Sequence, residues 1–276
     1  MRMFPPRRIV CLTEETVETL YLMGEEARIV GVSGYAVRPP RVRKEKPRVA
    51  AFISADVPKI LALEPDLVLT FSDLQAGIVA ELVNAGIAVH AFNQRDVAGI
   101  FAMIETLGGL IGQPGKSTAL CEDLRRRLGQ ARARSAALPV RPKIYFEEWD
   151  EPMISGIGWV SELIEIAGGV EAFPELAIKK SARERIVTRE QVIAANPDII
   201  IGSWCGKKFV PERLAARPGF EAIAAVAGNF LREIKSTIIL QPGPAALTDG
   251  LAAIEAIIAE WVEAQRYGKK ALSATA

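Results

Sequence analysis

The sequence predicts an α/β protein of two Rossmann-like lobes with mostly parallel sheets, joined by a single long backbone helix. Three observations predict this fold. One pattern occurs twice, in residues 60–71 and 192–203: the end of a helix, a Pro-Asp turn and an apolar run. Strand-like and helix-like segments alternate around both copies, as in parallel α/β sheets. Between the copies, residues 96–137 have almost no strand character.

The repeat extends beyond the apolar runs. Pro65 and Pro197 occupy equivalent places, and the same offset maps Asp56 onto Thr188. Both are residue types that favour the N-cap of a helix, which agrees with a short helix before each turn. Thr188 is followed three residues later by Gln191, which fits a capping box. Such agreement in register indicates two copies of one α/β unit.

The first lobe is predicted to cover residues 1–115. Short apolar runs rich in β-branched residues predict its strands, and apolar residues at helical spacing predict its helices. The strands are residues 8–12, 29–32, 67–71 and 87–92, and the helices are residues 13–23, 56–63 and 78–84. The basic segment 39–47 is bounded by prolines, which predicts a loop.

The middle of the chain, residues 116–138, is predicted to be the interlobe helix. Residues 96–137 form two helical pieces separated near Gly112 and Gly115, and the second piece runs from about Lys116 to Ala136. A helix of about 20 residues is about 30 Å long, enough to cross from one lobe to the other.

The second lobe is predicted to cover residues 139–276 and to repeat the order of the first. Its strands are predicted at residues 143–147, 199–202 and 230–234, and its helices at residues 160–166, 188–195, 218–227 and 244–263.

Composition excludes several classes of protein. The 276 residues carry a net charge of +1, so no nucleic-acid-binding tail is indicated. No apolar run reaches the roughly 18 residues that a membrane span requires. Residues 1–8 contain basic residues without the apolar segment of a secretion signal. We therefore expect a cytoplasmic protein as written, or a periplasmic one if the sequence starts at a mature or truncated end.

Neither a metal centre nor a catalytic motif is indicated. Cys11, Cys121 and Cys205 are far apart, which argues against a disulfide framework or a zinc site, and we expect plain buried or semi-buried thiols. His90 is the one histidine and lies within a predicted strand, so we expect it to be a structural or surface residue rather than a metal ligand. Leu110 replaces the first glycine that a phosphate-binding loop would need before Gly115. We expect no cofactor, no metal and no enzymatic activity.

Candidate ligand contacts follow the predicted strands. In open α/β sheets, ligands bind beyond the carboxyl ends of the strands. This rule selects residues 71–73, the acidic corner formed by residues 147–151, and the loop 203–208. Trp204 and Lys207 lie in a loop that also contains Gly206, which indicates a ligand-facing segment. The acidic corner fits either the edge of a site or a solvated turn.

A family resemblance covers roughly residues 8–262. Residues 31–35, the Pro39-Pro40 pair, Phe52 and residues 60–71 resemble the first lobe of the vitamin-B12-binding proteins of bacterial ABC importers. Residues 148–156, 159–169, 188–191, 196–198 and 241–244 resemble their second lobe. The wider superfamily includes receptors for ferric siderophores, haem and metals.

The resemblance implies a monomeric solute-binding protein that holds cobalamin or a related corrinoid in the cleft between its lobes, as the transported ligand of an ABC permease dimer. By position, it implies cleft contacts from Tyr35, Phe52, Phe71, Trp149, Met153, Trp204 and Gln241. Glu18 and Glu162 occupy equivalent places in the two lobes, and the resemblance implies that both are exposed and dock onto the permease.

The sequence is also compatible with two alternatives, one for the ligand and one for the class of protein. The ligand can instead be a ferric siderophore or haem, which other members of the same superfamily bind. The chain can also be a cytosolic corrinoid-handling protein or an enzyme on the same fold. In that case the acidic corner, Glu147 to Glu151, would serve as a metal or acid/base site.

Overall fold

The structure of the protein is a computed structural model, which describes residues 4–273 and the side chains of residues 4–266. The described chain divides into two compact units. Lobe 1 contains residues 4–94, 98–125 and 241–245, and lobe 2 contains residues 95–97, 126–240 and 246–273. Each lobe contains its own sheet, and most strand pairs are parallel. The predicted α/β class is therefore confirmed.

In lobe 1 the sheet has the strand order β3-β2-β1-β4-β5, with every neighbouring pair parallel. Its strands are β1 (Ile9–Cys11), β2 (Ile29–Ser33), β3 (Arg48–Ala50), β4 (Leu67–Phe71) and β5 (Val89–Phe92). The accompanying helices are α1 (Glu14–Leu22), α2 (Val42–Glu45), α3 (Val57–Ala62) and α4 (Ala76–Asn84). The inner strands β1 and β4 are buried throughout, as expected for parallel strands covered on both faces.

Local sequence signals explain the Pro-Asp turn of lobe 1. The Asp56 carboxylate accepts a hydrogen bond of 3.0 Å from the backbone N–H of Lys59 and caps α3, as predicted. Asp66 accepts hydrogen bonds from the backbone N–H groups of Arg7 and Arg8, which ties the turn to the start of β1. The predicted loop 39–47 contains α2, and β3 was not predicted because it is a three-residue run that begins with an exposed arginine.

The strand-free segment contains two helices, as predicted. These are α5 (Val97–Leu110) and α6 (Pro114–Ala136), which begins two residues before the predicted start. The helix α6 is continuous, and its residues belong to lobe 1 up to Arg125 and to lobe 2 from Arg126. Among the described residues, no helix has both the length and the apolar character needed to cross a membrane.

In lobe 2 the sheet has the order β10-β9-β6-β7, and β8 pairs with β6. Its strands are β6 (Lys143–Asp150), β7 (Met153–Ser155), β8 (Val170–Glu171), β9 (Ile199–Gly202) and β10 (Leu231–Glu233). Its helices are α7 (Gly158–Ala167), α8 (Pro174–Ala177), α9 (Arg189–Ala195), α10 (Pro211–Ala215), α11 (Ala224–Ala227), α12 (Ser236–Ile239) and α13 (Leu251–Ser273). The pair β6–β7 is antiparallel.

The predicted capping box before α9 is confirmed. Thr188 Oγ1 accepts a hydrogen bond from the Gln191 N–H at 3.2 Å, and Gln191 Oε1 accepts one from the Thr188 N–H at 2.7 Å. The predicted helix over residues 218–227 is wrong in extent. Gly219 has a φ of 86° and Ile223 is extended, so this segment forms a short 3-10 turn followed by α11.

Candidate ligand-binding surfaces

The buried side chain of Gln75 organises the carboxyl edge of the sheet in lobe 1. Its Oε1 accepts a hydrogen bond from the Phe71 N–H at 2.9 Å. Its Nε2 donates to the carbonyl oxygens of Leu12 at 3.3 Å and Phe52 at 2.8 Å. One amide therefore connects the segments that follow β1, β3 and β4. Because these bonds are shielded from water, they hold the three segments in fixed positions.

This edge carries exposed apolar side chains in consecutive strand-end loops. Tyr35, two residues beyond β2, is 52% exposed. Phe52 and Ile53 follow β3, and Leu74 follows β4; Phe52 is partly exposed and the other two are exposed. The carboxyl ends of parallel strands meet at one edge, so these side chains share one side of the sheet. The resemblance named Tyr35 and Phe52, whereas Ile53 and Leu74 were missed. The strand-end rule could have selected Leu74, which follows the predicted strand β4, but not Ile53, because β3 was not predicted from the sequence.

Phe71 does not share this exposure. It is the last residue of β4, and its side chain is buried, because β4 lies inside the sheet between β1 and β5. The expectation that the Phe71 side chain lines a ligand surface is therefore wrong. The backbone N–H of Phe71 instead helps to hold Gln75.

Buried carboxyls lie where α1 begins, directly after β1. Glu14 accepts a hydrogen bond from the Ser33 hydroxyl at 3.0 Å, and Glu15 accepts one from the Thr13 hydroxyl at 2.7 Å. Burial raises the pKa of both carboxyls, and the neighbouring Glu14 charge contributes to a pKa of about 8 for Glu15. These residues were missed, although the strand-end rule that selected the other loops applies equally after β1.

The segment 241–245 packs against these acids within lobe 1. Gln241 is partly exposed, and its side chain lies close enough to Glu14 to lower the pKa of that carboxyl. A Cβ atom at Gly243 would lie 2.6 Å from the Cβ of Glu15, so this position requires glycine for close approach. Gln241 is thus placed at the carboxyl edge of the sheet in lobe 1, although the resemblance connected residues 241–244 with the second lobe.

Glu18 is not a surface carboxylate. It is 8% exposed, pairs with Arg38 at 2.8 Å, and accepts a hydrogen bond of 2.9 Å from the Ala245 N–H. The expectation that both docking glutamates are exposed is therefore wrong for Glu18. Glu162 is exposed on α7 and accepts a weak hydrogen bond from the Val97 N–H at 3.3 Å.

In lobe 2, Glu147 is the centre of a buried polar network at the carboxyl end of β6. Arg217 binds its two carboxylate oxygens at 2.6 and 2.9 Å. The Trp204 indole N–H donates to Glu147 at 2.9 Å, and the Tyr145 hydroxyl donates to it at 3.0 Å. The donors and the carboxylate satisfy one another, which makes a buried charge tolerable.

This network explains why two residues that were expected to contact the ligand are buried instead. Trp204 is 2% exposed, and Met153 is buried beside it in the apolar core of lobe 2. The Met153 sulfur accepts a hydrogen bond from Arg217 at 3.2 Å. Both side chains were expected to face a ligand, but they pack inside their own lobe. The glycine in this loop after a strand indicated that the backbone can approach a ligand. It gave no information on the direction of the Trp204 side chain, which points into the lobe.

The rest of the acidic corner is neutralised by cations. Glu148 pairs with the buried Arg185 at 2.6 Å. Asp150 pairs with Lys207 and lies 3.5 Å from Arg213. Burial opposes ionisation of Asp150, but Lys207 and Arg213 more than offset this and lower its pKa. Except for Glu151, whose side chain is 84% exposed, the charged residues of the corner therefore form an ion-pair network rather than a solvated acidic turn.

Trp149 and Lys207 come together at the surface of this corner. The Lys207 ammonium lies 3.9 Å from the centre of the Trp149 ring, a cation–π contact. The Trp149 indole N–H donates to the Glu151 carbonyl at 2.8 Å, which sets the ring orientation. Trp149 is partly exposed and Lys207 is exposed, so both remain accessible as predicted ligand contacts.

The remaining sequence predictions concern single residues. Cys11 and Cys121 are buried free thiols, as expected, but Cys205 is exposed because it lies in the loop beyond the end of β9, so the expectation is wrong for Cys205. His90 lies in β5 and forms an edge-on contact with Phe92. Within residues 4–266, no group of three or more His, Cys, Asp and Glu side chains is arranged to hold a metal ion.

The chain is similar in sequence and fold to a known family of binding proteins. The family model described as periplasmic binding protein matches residues 9–237, and the chain therefore belongs to that family. The resemblance to the family that contains the vitamin B12-binding proteins is confirmed. At this level the chain is a member of the periplasmic-binding-protein family of ABC importers.

Individual relatives carry more particular names. The vitamin B12-binding protein of Vibrio cholerae is 29% identical over 205 residues, which are 72% of this chain and 71% of that protein. An ABC transporter substrate-binding lipoprotein of Bacillus subtilis is 24% identical over 249 residues, 87% of this chain and 76% of that protein. The solved structure of the periplasmic heme-binding protein RhuT from Roseiflexus sp. RS-1 has a TM-score of 0.78 at 22% identity, and the match covers 91% of this chain and 99% of that one.

Proposed function

We propose that this protein is the solute-binding component of an ABC importer for cobalamin or a related corrinoid. The observation that carries the proposal is the exposed apolar surface at the carboxyl edge of lobe 1, formed by Tyr35, Phe52, Ile53 and Leu74. Sites for organic ligands combine apolar and aromatic area with few polar anchors, and this edge has that composition. The relatives named for vitamin B12 or cobalamin support the choice of ligand.

The accessible side chains suit a large ligand with a flat ring system. Tyr35 and Phe52 supply aromatic area at low entropy cost, and Gln75 fixes the loop that carries Phe52. In lobe 2, Trp149 is held by its indole hydrogen bond and presents a partly exposed face. Gln241 and Lys207 are the polar groups that the proposal assigns to the amide-bearing rim of a corrinoid.

The decisive test is direct titration of the purified protein with cyanocobalamin by calorimetry. Tyr35→Ala is expected to weaken binding about fivefold or more, because a stacked aromatic ring contributes roughly 1 kcal/mol. Leu22→Ala is the matched control, since Leu22 is similarly exposed but lies at the far end of α1. Equal affinities in the two variants would show that the ligand binds elsewhere on the protein. Absence of binding by the wild-type protein would show that the proposed ligand, a corrinoid, is wrong.

Haem is the second candidate, and Tyr35 is the observation that favours it. An exposed tyrosine can ligate haem iron through its phenolic oxygen. The variant Tyr35→Phe separates the two ligands, because it keeps the ring and removes the oxygen. It should leave cobalamin affinity within about twofold but reduce haem affinity tenfold or more. Ferric siderophores belong in the same titration as a third ligand class.

The proposed partner is the permease dimer of the importer, and Glu162 is the remaining candidate contact on the protein. Glu162 is an exposed residue, although its carboxylate is partly buried where it accepts from the Val97 N–H, whereas Glu18 is buried. Glu162→Lys is expected to slow association with the permease in liposomes, because surface charges mainly steer encounter. Glu175→Lys is the matched control on the exposed helix α8. Equal association rates for both variants would show that Glu162 does not contribute to the interface with the permease.

A further inference from the structure

Lobe 2 contains a cavity of about 910 Å³ that the proposed ligand surface does not use. Its walls come from the end of α6, from α7, from Glu171 of β8 and from the segment around α8. The apolar side chains of Ile166, Pro174 and Ile178 line one part of it, and Glu162, Ser161 and Glu171 line another. It therefore combines apolar area with convergent polar groups, which is the composition of a small-molecule site.

The acid at this cavity is buried and incompletely bonded. Glu171 is 5% exposed. Its Oε1 accepts a hydrogen bond of 3.3 Å from the Phe173 N–H. Its Oε2 and the neighbouring Ser161 hydroxyl oxygen have no well-formed hydrogen bond among the described residues, although the Ser161 hydroxyl lies close enough to lower the pKa of Glu171. A buried polar atom without a partner costs free energy, and a ligand that supplies a donor recovers it.

The nearby charges leave this acid available. Arg141 is held by Glu165 at 2.6 Å and by the carbonyl oxygen of Gly168 at 3.3 Å. Arg132 lies close enough to Glu162 to lower its pKa, although burial raises it overall. Arg141 is therefore held by groups other than Glu171, and the acid that Arg132 acts on is Glu162.

We propose that this cavity is a second binding site, for a small organic monocation with N–H donors such as an alkylguanidinium or alkylammonium ion. The cationic head donates to Glu171 Oε2 and Ser161 Oγ, and its alkyl body packs against Ile166 and Pro174. Lys179 and Lys180 are exposed at the cavity wall and repel a second positive charge, so dications bind less well.

Binding at this site depends on pH. Burial raises the pKa of Glu171 to about 7, so its carboxyl is largely protonated at pH 6 and largely ionised at pH 8. The cation binds the ionised form, and apparent affinity scales with the fraction in that form, which gives up to about a tenfold gain between these pH values. The other charged groups that line the cavity are Arg95, Asp96, Arg132, Arg141, Glu162, Glu165, Lys179 and Lys180.

The test is calorimetric titration of the full chain with n-butylguanidinium at pH 6 and pH 8. We expect binding that strengthens with pH, and a tenfold or greater loss in both Glu171→Gln and Ser161→Ala. Glu175→Gln, an exposed control on α8 outside the cavity wall, should bind as the wild type does. Thermal denaturation of each variant confirms that it is folded, and Ser161→Ala carries the test if Glu171→Gln does not fold.

Three results would overturn the proposal. These are no binding of n-butylguanidinium at about 10 mM, binding that is independent of Glu171 and pH, and tighter binding of butyrate than of the cation. Agmatine, a dication of similar length, should bind more weakly than n-butylguanidinium. Cobalamin affinity should be unchanged in Glu171→Gln. The proposal for this cavity and the corrinoid proposal can therefore each be disproved without affecting the other.

Discussion

Replacing Arg217 with methionine is expected to lower the free energy of unfolding by about 3–5 kcal/mol, as when one partner of a buried ion pair is removed. Arg217 binds both carboxylate oxygens of the fully buried Glu147, and the substitution leaves that charge without its counter-ion. The Trp204 and Tyr145 hydrogen bonds to Glu147 remain but do not neutralise it. Urea unfolding of wild type and variant gives the difference directly.

Two further variants isolate the cause. Arg213→Met removes a guanidinium that is 57% exposed and 3.5 Å from Asp150, so the expected loss is below about 1 kcal/mol. The double variant Glu147→Gln/Arg217→Met removes both charges and should recover part of the stability lost in Arg217→Met. Equal losses for Arg213→Met and Arg217→Met, or no recovery in the double variant, would contradict a buried ion pair at this position.

The variant Glu15→Gln is expected to change the pH dependence of stability in lobe 1. Burial first, and the Glu14 charge second, raise the pKa of Glu15 from 4.5 to about 8 in the folded protein. Between these values the folded state holds a proton that the unfolded state releases. The stabilising contribution is therefore complete below pH 4.5 and is lost as the pH rises from 4.5 to 8. Its size is on the order of a few kcal/mol, at 1.36 kcal/mol for each pKa unit.

The measurement is urea unfolding of wild type and Glu15→Gln at intervals from pH 5 to pH 8. Glutamine does not titrate and retains the oxygen that accepts from Thr13, so the variant should gain stability relative to wild type as pH rises. Glu190→Gln is the control, because a backbone hydrogen bond and then the Thr188 side chain lower the pKa of Glu190. Its difference from wild type should stay constant over this range. A constant difference for Glu15→Gln as well would show that this carboxyl is ionised in the fold.

The parts of this protein that could be predicted from sequence are those that depend on local patterns. The strands Leu67–Phe71 and Ile199–Gly202 have the predicted bounds, because each is an uninterrupted apolar run after a Pro-Asp turn. The Thr188 capping box and the continuous helix α6 are likewise local features, set by residues a few positions apart. The strand-end rule selected Trp149 and the family resemblance selected Tyr35 and Phe52, and all three lie at accessible positions.

Side-chain burial in the candidate sites was decided by the tertiary structure. Trp204 turns inward because Glu147, 57 residues earlier, accepts its indole N–H, and Glu147 is itself neutralised by Arg217, 70 residues away. Glu18 is buried because Ala245, 227 residues later, donates to it. The repeat, the fold class and the accessible loops were thus determined by sequence alone, since backbone preference and apolar spacing act over a few residues. Which polar and aromatic groups face solvent depended on partners that come together only in the folded chain.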